Sequence, residues 1–303
     1  MKKNMLIGID IGGTNIKGIV TQTDGEIIAE RIAPTGDIPG QDNSAVWKSN
    51  VRKMISELEV DAGNKVDYVG ISSPGTANKD NDGILSNGTK MLGIEGFIWS
   101  DYLDKKAYVL NDAHAALYAE SRIGAGQGYK DILMVTLGTG VGGGIMVGGK
   151  LLQGSVGRAG HIGHMSVNQD VRMGIANTPG SLENAVAEVT IKHRSYGRFE
   201  STKDVLEGYM AGDTWATWIW LNAVQSLSRG IISLINVISP QIIIIGGGIS
   251  KAGIHLLDPL KEFMDVYEWR PGGFSTPLVF ARLSNNAGAI GAALFAADQH
   301  NKV

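Results

Sequence analysis

The chain has 303 residues, 43% hydrophobic and 19% charged, with a net charge of −3. That is a globular composition with room for one large or two ordinary domains, and it excludes a disordered chain. The near-neutral balance supplies no general basic field, so nucleic acid is not implied, and the lack of cysteine excludes disulfides, thiolate zinc sites and cysteine nucleophiles.

An apolar run from Met5 to Ile9 reads as a buried strand. It meets Asp10, then Gly12-Gly13-Thr14, then a second apolar run from Ile16 to Val20. The pattern predicts a hairpin whose turn has almost no side chains, with glycines at φ > 0 that let backbone N–H groups approach an anion. Asp10 at the strand end is suited to hold a hydrated Mg²⁺, which takes oxygen ligands and keeps several waters. Lys2-Lys3 before this run imitates a signal peptide, but the run is short and Asp10 interrupts it. Asp24-Gly25 reads as a tight turn and Glu26 to Arg31 as a strand. Asn43 or Ser44 caps a helix to about Leu58, with Trp47, Val51, Ile55 and Leu58 on its core face. Val66 to Ser72 reads as a buried strand ending at Pro74-Gly75.

Asn78 to Gly83 imitates the start of a calcium loop, but its twelfth position is Thr89 rather than Glu, so a polar turn is expected. Tyr108 to Leu110 is a short strand stopping at Asn111-Asp112, and Ala113 to Arg122 a helix closed by Gly124. An Asp at such a junction either caps the helix or serves as a general base. Val135 to Gly144 repeats the first hairpin, with Gly138-Thr139-Gly140 at its turn. His161 and His164 follow, three apart and without the further ligands a zinc site needs. Pro179 to Glu183 opens a helix to about Lys192. Thr214 to Ile238 is a long helix, apolar nearly all round and stopped by Ser239-Pro240. It also carries Asn222, Gln225, Ser226, Ser228, Arg229 and Asn236, which fall short of a membrane span. Ile242 to Ile245 is β-branched throughout, as in a strand buried on both faces, and empties into Gly246-Gly247-Gly248. Leu278 to Leu283 is a last strand, and Asn285-Asn286 caps a small-residue helix from Ala287 to Ala297.

Three strand ends delivering glycine turns point to one polyanionic ligand held in several places. The two halves read as related α/β units with a cleft expected between them. The first covers 1–120 and is joined by a C-terminal helix, 286–303; the second and larger covers 121–285.

Asp10 to Thr14, Asn111-Asp112, the second glycine hairpin, Gly160 to His164, Glu183 and the triple glycine together resemble the ROK family, within the actin/hexokinase/Hsp70-like ATPase superfamily. The resemblance runs from about residue 5 to 297. It implies duplicated ribonuclease H-like α/β domains and a cytoplasmic, C6-directed, ATP- and Mg²⁺-dependent kinase of a hexose or hexose derivative. It implies Asp112 as general base and Asp10 beside the metal. Gly12, Gly13, Thr14, Lys17, Gly138 and Thr139 would hold phosphates, and Gly247, Gly248 and Asn286 would border the nucleotide. Gly75, Asn87, Asn111, Asp112, His161, His164 and Glu183 would hold the sugar. The partner implied is a small sugar, with no nucleic acid or membrane, and the assembly a homodimer.

Three departures bear on these expectations. Gly88 to Gly93 departs from the family's usual Asn-Leu-Pro after Asn87. The family's Gly-Glu-x-Gly-His appears as Gly160-His161-Ile162-Gly163-His164. A carboxylate only accepts hydrogen bonds whereas a neutral imidazole both donates and accepts, and it titrates near pH 6.5 unperturbed, so a different sugar preference is expected. Many members also bind structural zinc through His and three Cys; the matching positions are His164, Gly174, Ala176 and Ser181, so no zinc is expected. Repressor members carry an N-terminal helix-turn-helix, whereas four residues precede the first strand here. The alternative kept is a non-catalytic sugar-binding sensor of the same fold.

Overall fold

A computed structural model describes residues 5–38, 40–87, 91–169 and 178–302. The chain divides into two compact units. One runs up to Gly128 and takes in Gln153–Ala159 and the chain from Arg282 onward; the other holds Tyr129–Leu152 and Gly160–Ala281.

In the first unit, β1 (Leu6–Ile11) turns back as β2 (Asn15–Thr21), followed by β3 (Ile27–Pro34) and α1 (Ser44–Ala62). Then come β4 (Tyr68–Ser73), the small hairpin β5 (Thr76–Ala77) and β6 (Ile84–Ser86), α2 (Trp99–Leu103), β7 (Lys106–Asn111) and α3 (Asp112–Ile123). The sheet order is β3-β2-β1-β4-β7. β1, β2 and β3 pair antiparallel, while β4 and β7 add in parallel to β1. Trp47, Val51, Ile55 and Leu58 of α1 are buried in the core, as their helical spacing predicts.

The second unit repeats this plan. β8 (Ile132–Leu137), β9 (Val141–Val147) and β10 (Lys150–Leu151) form its meander. α4 (Leu182–Val186), α5 (Ile191–Arg194), α6 (Thr202–Met210) and α7 (Thr214–Ile238) follow, then β11 (Ile242–Gly246), α8 (Ile254–Tyr267) and β12 (Leu278–Phe280). The order β10-β9-β8-β11-β12 has the same pattern of antiparallel and parallel neighbours. β11 is buried at every position, which its unbroken isoleucine run requires.

The chain ends as α9 (Ala287–His300) against the first unit's sheet. A Cβ at Gly8 would fall 2.0 Å from the Ala289 carbonyl oxygen, and one at Gly70 would fall 1.9 Å from that of Ala292. Backbone therefore lies against backbone, and the small residues of both partners permit it.

Several boundaries differ from the sequence reading. α1 continues to Ala62 and stops where Gly63 adopts φ 72°. Asn43 occupies its N-cap position without a side-chain capping bond, because its amide donates to the Gly36 carbonyl. The helix expected to open at Pro179 to Glu183 and run to about Lys192 breaks at Ala187, whose ψ of 150° is extended, into α4, a 3₁₀ turn and α5. β12 is shorter than expected, ending at Phe280. Asn285 and Asn286 provide no side-chain cap to α9. α7 is buried on one side only, leaving Trp215 and Trp218 exposed.

Candidate active site

The first unit gathers its polar groups at the ends of β1, β4 and β7. The turn after β1 is closed by the Gly12 N–H donating to the Asn15 carbonyl at 2.9 Å, and the Thr35 hydroxyl donates to the Gly12 carbonyl at 2.6 Å. Gly13 and Thr14 are exposed. Neither Gly12 nor Gly13 has the positive φ expected of them. Their lack of side chains matters here as open access to the backbone: nothing lies within 4 Å of a Cβ built on Gly13.

Asp10 stands opposite Lys17 on β2 and Ser72 on β4. The Ser72 hydroxyl donates to Asp10 Oδ1 at 2.5 Å. Desolvation dominates, raising the Asp10 pKa from the ordinary 3.8 to about 6; the Ser72 bond opposes this, the Asp112 carboxylate adds to it and Lys17 opposes it. Asp10 also lies against Gly288 in the first turn of α9, where a Cβ would fall 2.8 Å from its Cγ. Lys17 Nζ donates to Asn286 Oδ1 at 2.8 Å and to the Asn285 carbonyl at 3.1 Å, which ties β2 to the start of α9.

At the end of β7, Asn111 has two tasks. Its side-chain oxygen accepts from the Ala113 and His114 N–H groups at 3.0 and 3.3 Å, making it the N-cap of α3. Its amide donates to the Gly75 carbonyl at 2.8 Å. Asp112 sits exposed in the first turn of the helix, its Oδ1 accepting from the Ala113 N–H at 2.8 Å. Gly75, with φ 94°, packs against Asn87, whose N–H donates to Glu95 Oε1 at 2.6 Å. The structure thus brings Gly75, Asn87 and Asn111 together.

The second unit gathers two clusters of its own. At one, Gly247 adopts φ 85° with the Leu137 carbonyl oxygen 2.2 Å from where a Cβ would be. No other residue fits that conformation and that contact. This sets Gly248 beside Gly138, and the Gly138 and Thr139 carbonyls accept from Glu188 and Val189 N–H at 3.0 and 3.2 Å. At the other, Glu183 Oε2 accepts from the Val141 N–H at 3.0 Å. The 3₁₀ turn Ile162–His164 packs on the same residue, since a Cβ at Gly163 would fall 2.0 Å from the Val141 carbonyl oxygen. His161 and His164 stack nearly parallel, with ring centroids 6.4 Å apart. Of the positions matching a family zinc site, Ser181 caps α4 and His164 is exposed, while Gly174 and Ala176 lie outside the described residues.

A pair of duplicated α/β units, each with a glycine hairpin at its central strand, defines the actin-like ATPase class of fold. Residues 6–299 match the ROK family, and the chain belongs to it. It is 33% identical to the glucokinase of Thermotoga maritima over 97% of each chain. Among solved structures it is similar to a ROK hexokinase from Thermus thermophilus, with a TM-score of 0.84 and 26% identity over 99% of this chain and 100% of that one. A ROK family glucokinase from Streptomyces griseus, in complex with glucose and AMPPNP, gives a TM-score of 0.80 and 27% identity over 97% of this chain and 100% of that one.

Two polar residues central to this arrangement escape a reading of the sequence. Ser72 meets Asp10 only through the parallel register of β4 on β1. Glu120, in the middle of a helix, carries no local motif; its role appears only with the fold.

Proposed function

We propose that the chain transfers the γ-phosphoryl group of ATP to a hexose or hexose derivative, at the C6 hydroxyl, with Asp112 as general base. The observation that carries the base assignment is the division of labour at the end of β7. Asn111 caps α3 and holds Gly75, and the adjacent Asp112 carboxylate, one oxygen of which accepts from the Ala113 N–H, stands exposed at the end of the strand.

In this reading Gly75, Asn87, Asn111, His161, His164 and Glu183 orient the sugar through directed hydrogen bonds. The hydroxyl proton passes to an Asp112 oxygen as the hydroxyl oxygen bonds to the γ-phosphorus. The bond from that phosphorus to the bridging oxygen breaks, and ADP leaves. Gly13, Thr14 and Thr139 offer backbone donors to phosphate oxygens, Gly12 and Gly138 close the turns that present them, and Lys17 is the nearby cation. Gly247, Gly248 and Asn286 border the nucleotide.

Asp10 suits Mg²⁺: it is a hard oxygen donor, desolvated and facing a second carboxylate, which a cation would relieve. Among the described residues no group of three or more His, Asp or Glu side chains gathers for a metal. Such an ion would therefore rest on Asp10, waters and phosphate oxygens, and it would neutralise charge on the phosphates. The same reading makes the chain a homodimer.

The test is ADP release from ATP and Mg²⁺ across a panel of hexoses, amino sugars and disaccharides, with Asp112→Asn beside the wild type. One sugar is expected to stand well above the rest, and the variant to lose roughly 10²- to 10⁴-fold in turnover while keeping its sugar affinity. A near-normal rate in the variant removes Asp112 as the base. Silence across the panel, with ATP still raising the Tm, favours the non-catalytic sensor.

A further inference from the structure

The turn of the second glycine hairpin is held through three successive peptide planes, and one short segment of the same unit supplies the holds. The Glu188 N–H donates to the Gly138 carbonyl at 3.0 Å and the Val189 N–H to the Thr139 carbonyl at 3.2 Å. The Val141 N–H donates to Glu183 Oε2 at 3.0 Å. A trans peptide is planar, with its N–H directed opposite to its carbonyl. Fixing the Gly138 carbonyl therefore aims the Thr139 N–H, and fixing the Thr139 carbonyl aims the Gly140 N–H. Thr139 is exposed at the tip of the turn, and its N–H is the donor assigned above to phosphate.

The segment that holds the turn begins with a proposed sugar residue. Glu183 lies on α4, which is closed by the Ala187 N–H donating to the Glu183 carbonyl at 2.9 Å. Ala187, with ψ 150°, swings the chain out of the helix, and the next two N–H groups meet the turn. Glu188 Oε2 accepts from the Thr202 N–H at 2.9 Å, which ties the segment to the start of α6. α4 is only five residues long, too short to stand on its own hydrogen bonds. Packing on α7 and these bonds to the hairpin set its place. The first hairpin is held differently. The Thr35 hydroxyl and N–H donate to the Gly12 and Thr14 carbonyls at 2.6 and 2.9 Å, and no proposed sugar residue neighbours Thr35 in the chain.

A carboxylate offers about four lone-pair sites, so Glu183 can accept from Val141 and from a sugar hydroxyl together. A hexose bound there adds a hydrogen bond to the same arrangement that aims the phosphate donors. We infer that the segment from Glu183 to Val189 is a positioning element through which hexose and nucleotide bind cooperatively. Linkage makes the effect reciprocal, each ligand tightening the other by the same factor. The coupling rests on the reading of Glu183 as a sugar ligand and of Thr139 as a phosphate donor.

The test is calorimetry on the full chain with AMPPNP and Mg²⁺, without sugar and with saturating glucose, mannose or N-acetylmannosamine. In the wild type at least one of these sugars is expected to tighten AMPPNP about fivefold or more, and AMPPNP to tighten that sugar equally. Glu188 lies outside the proposed sugar and phosphate residues. Glu188→Ala keeps the backbone N–H but loses the tie to α6, whose own capping box of Ser201 and Asp204 remains. In that variant the gain from sugar is expected to be largely lost at a Tm within a few degrees of wild type. Glu188→Gln, whose amide oxygen still accepts from Thr202, should restore most of it. A sugar that binds without changing the AMPPNP affinity overturns the coupling. A gain undiminished in Glu188→Ala, with AMPPNP weakened equally in the presence and absence of sugar or not at all, overturns the route through this segment. Binding of none of the sugars removes the sugar reading of Glu183 and the coupling with it. Cooperative, Glu188-dependent binding without ADP release from ATP keeps the coupling and loses the kinase reading.

Discussion

The Ser72 hydroxyl donates to Asp10 Oδ1 at 2.5 Å across the β4–β1 pairing. That bond favours the ionised carboxylate, whereas burial and the Asp112 charge oppose it, and the opposing influences win, placing the pKa at about 6. Removing the hydroxyl removes a lowering influence. In Ser72→Ala the acid limb of kcat/KM is therefore expected to move to higher pH, and an unmoved limb in a full pH profile would dismiss Asp10 as a group that must be ionised. The sign for stability is the reverse of the usual carboxylate case. The native state holds the proton more tightly than the unfolded chain, so this contribution is full below 3.8 and is lost as the pH rises through about 6. Asp10→Asn should flatten that part of the stability curve in the apo protein.

Glu120 anchors the first unit from a fully buried position. Oε1 accepts from the Arg282 and Leu283 N–H groups at 2.7 and 2.8 Å, and Oε2 from the Ala125 N–H at 2.7 Å. A Cβ at Gly124 would fall 2.0 Å from Oε2, so the glycine makes room for the carboxylate. The residues it holds come just before the chain enters the second unit and just after it returns. Hydrogen bonds to a charged group each contribute about 1.5–3 kcal/mol, and their loss strands buried donors. Glu120→Ala is expected to lose roughly 3 kcal/mol or more, and Glu120→Gln, which keeps one accepting oxygen, distinctly less. Thermal unfolding of both checks this, and a Glu120→Ala protein as stable as wild type would show that the carboxylate is dispensable.

The parts of this fold that were legible in the sequence share one property: their signal is local. The two glycine hairpins, the isoleucine run of β11 and the small-residue helix α9 all announce themselves by composition and period. What was not legible depends on register or on a neighbour distant in the chain. Asn43 had the right identity for a cap, but the Gly36 carbonyl claims its side chain. Asp112 stood at the right junction, yet which of the two adjacent residues caps α3 was decided by Asn111 reaching both the helix and Gly75. The break at Ala187 has no proline or glycine to mark it; its flanking carbonyls are held by Arg194, seven residues on.

Gly140 offers a direct test of Glu183. Its φ is not positive, so alanine meets no backbone penalty there. The new Cβ would fall 2.5 Å from Glu183 Oε2, the oxygen that accepts from Val141. The obstructed atom is the far end of a flexible side chain, which moves at little cost. Gly140→Ala is therefore expected to keep its Tm within a few degrees while the KM for sugar rises severalfold. A KM equal to wild type in a well-folded variant would remove Glu183 from the sugar site.

His161 is where this chain departs from the motif of the family it belongs to. It immediately precedes the 3₁₀ turn that packs on Val141, and its ring lies nearly parallel to that of His164. An imidazole presents one donor and one acceptor in fixed directions, whereas a carboxylate presents acceptors only. A sugar hydroxyl that donates to both would bind either, but one that must accept is served by the imidazole alone. Leaving such a buried partner unmatched discriminates more strongly than a change of size. His161→Glu is therefore expected to raise kcat/KM for glucose relative to the sugar the wild type prefers. The comparison needs the whole sugar panel on both proteins, because a uniform loss would report damage to the turn and only a changed ranking reports specificity. An unchanged ranking, with the fold intact, would place the discrimination elsewhere among the sugar residues.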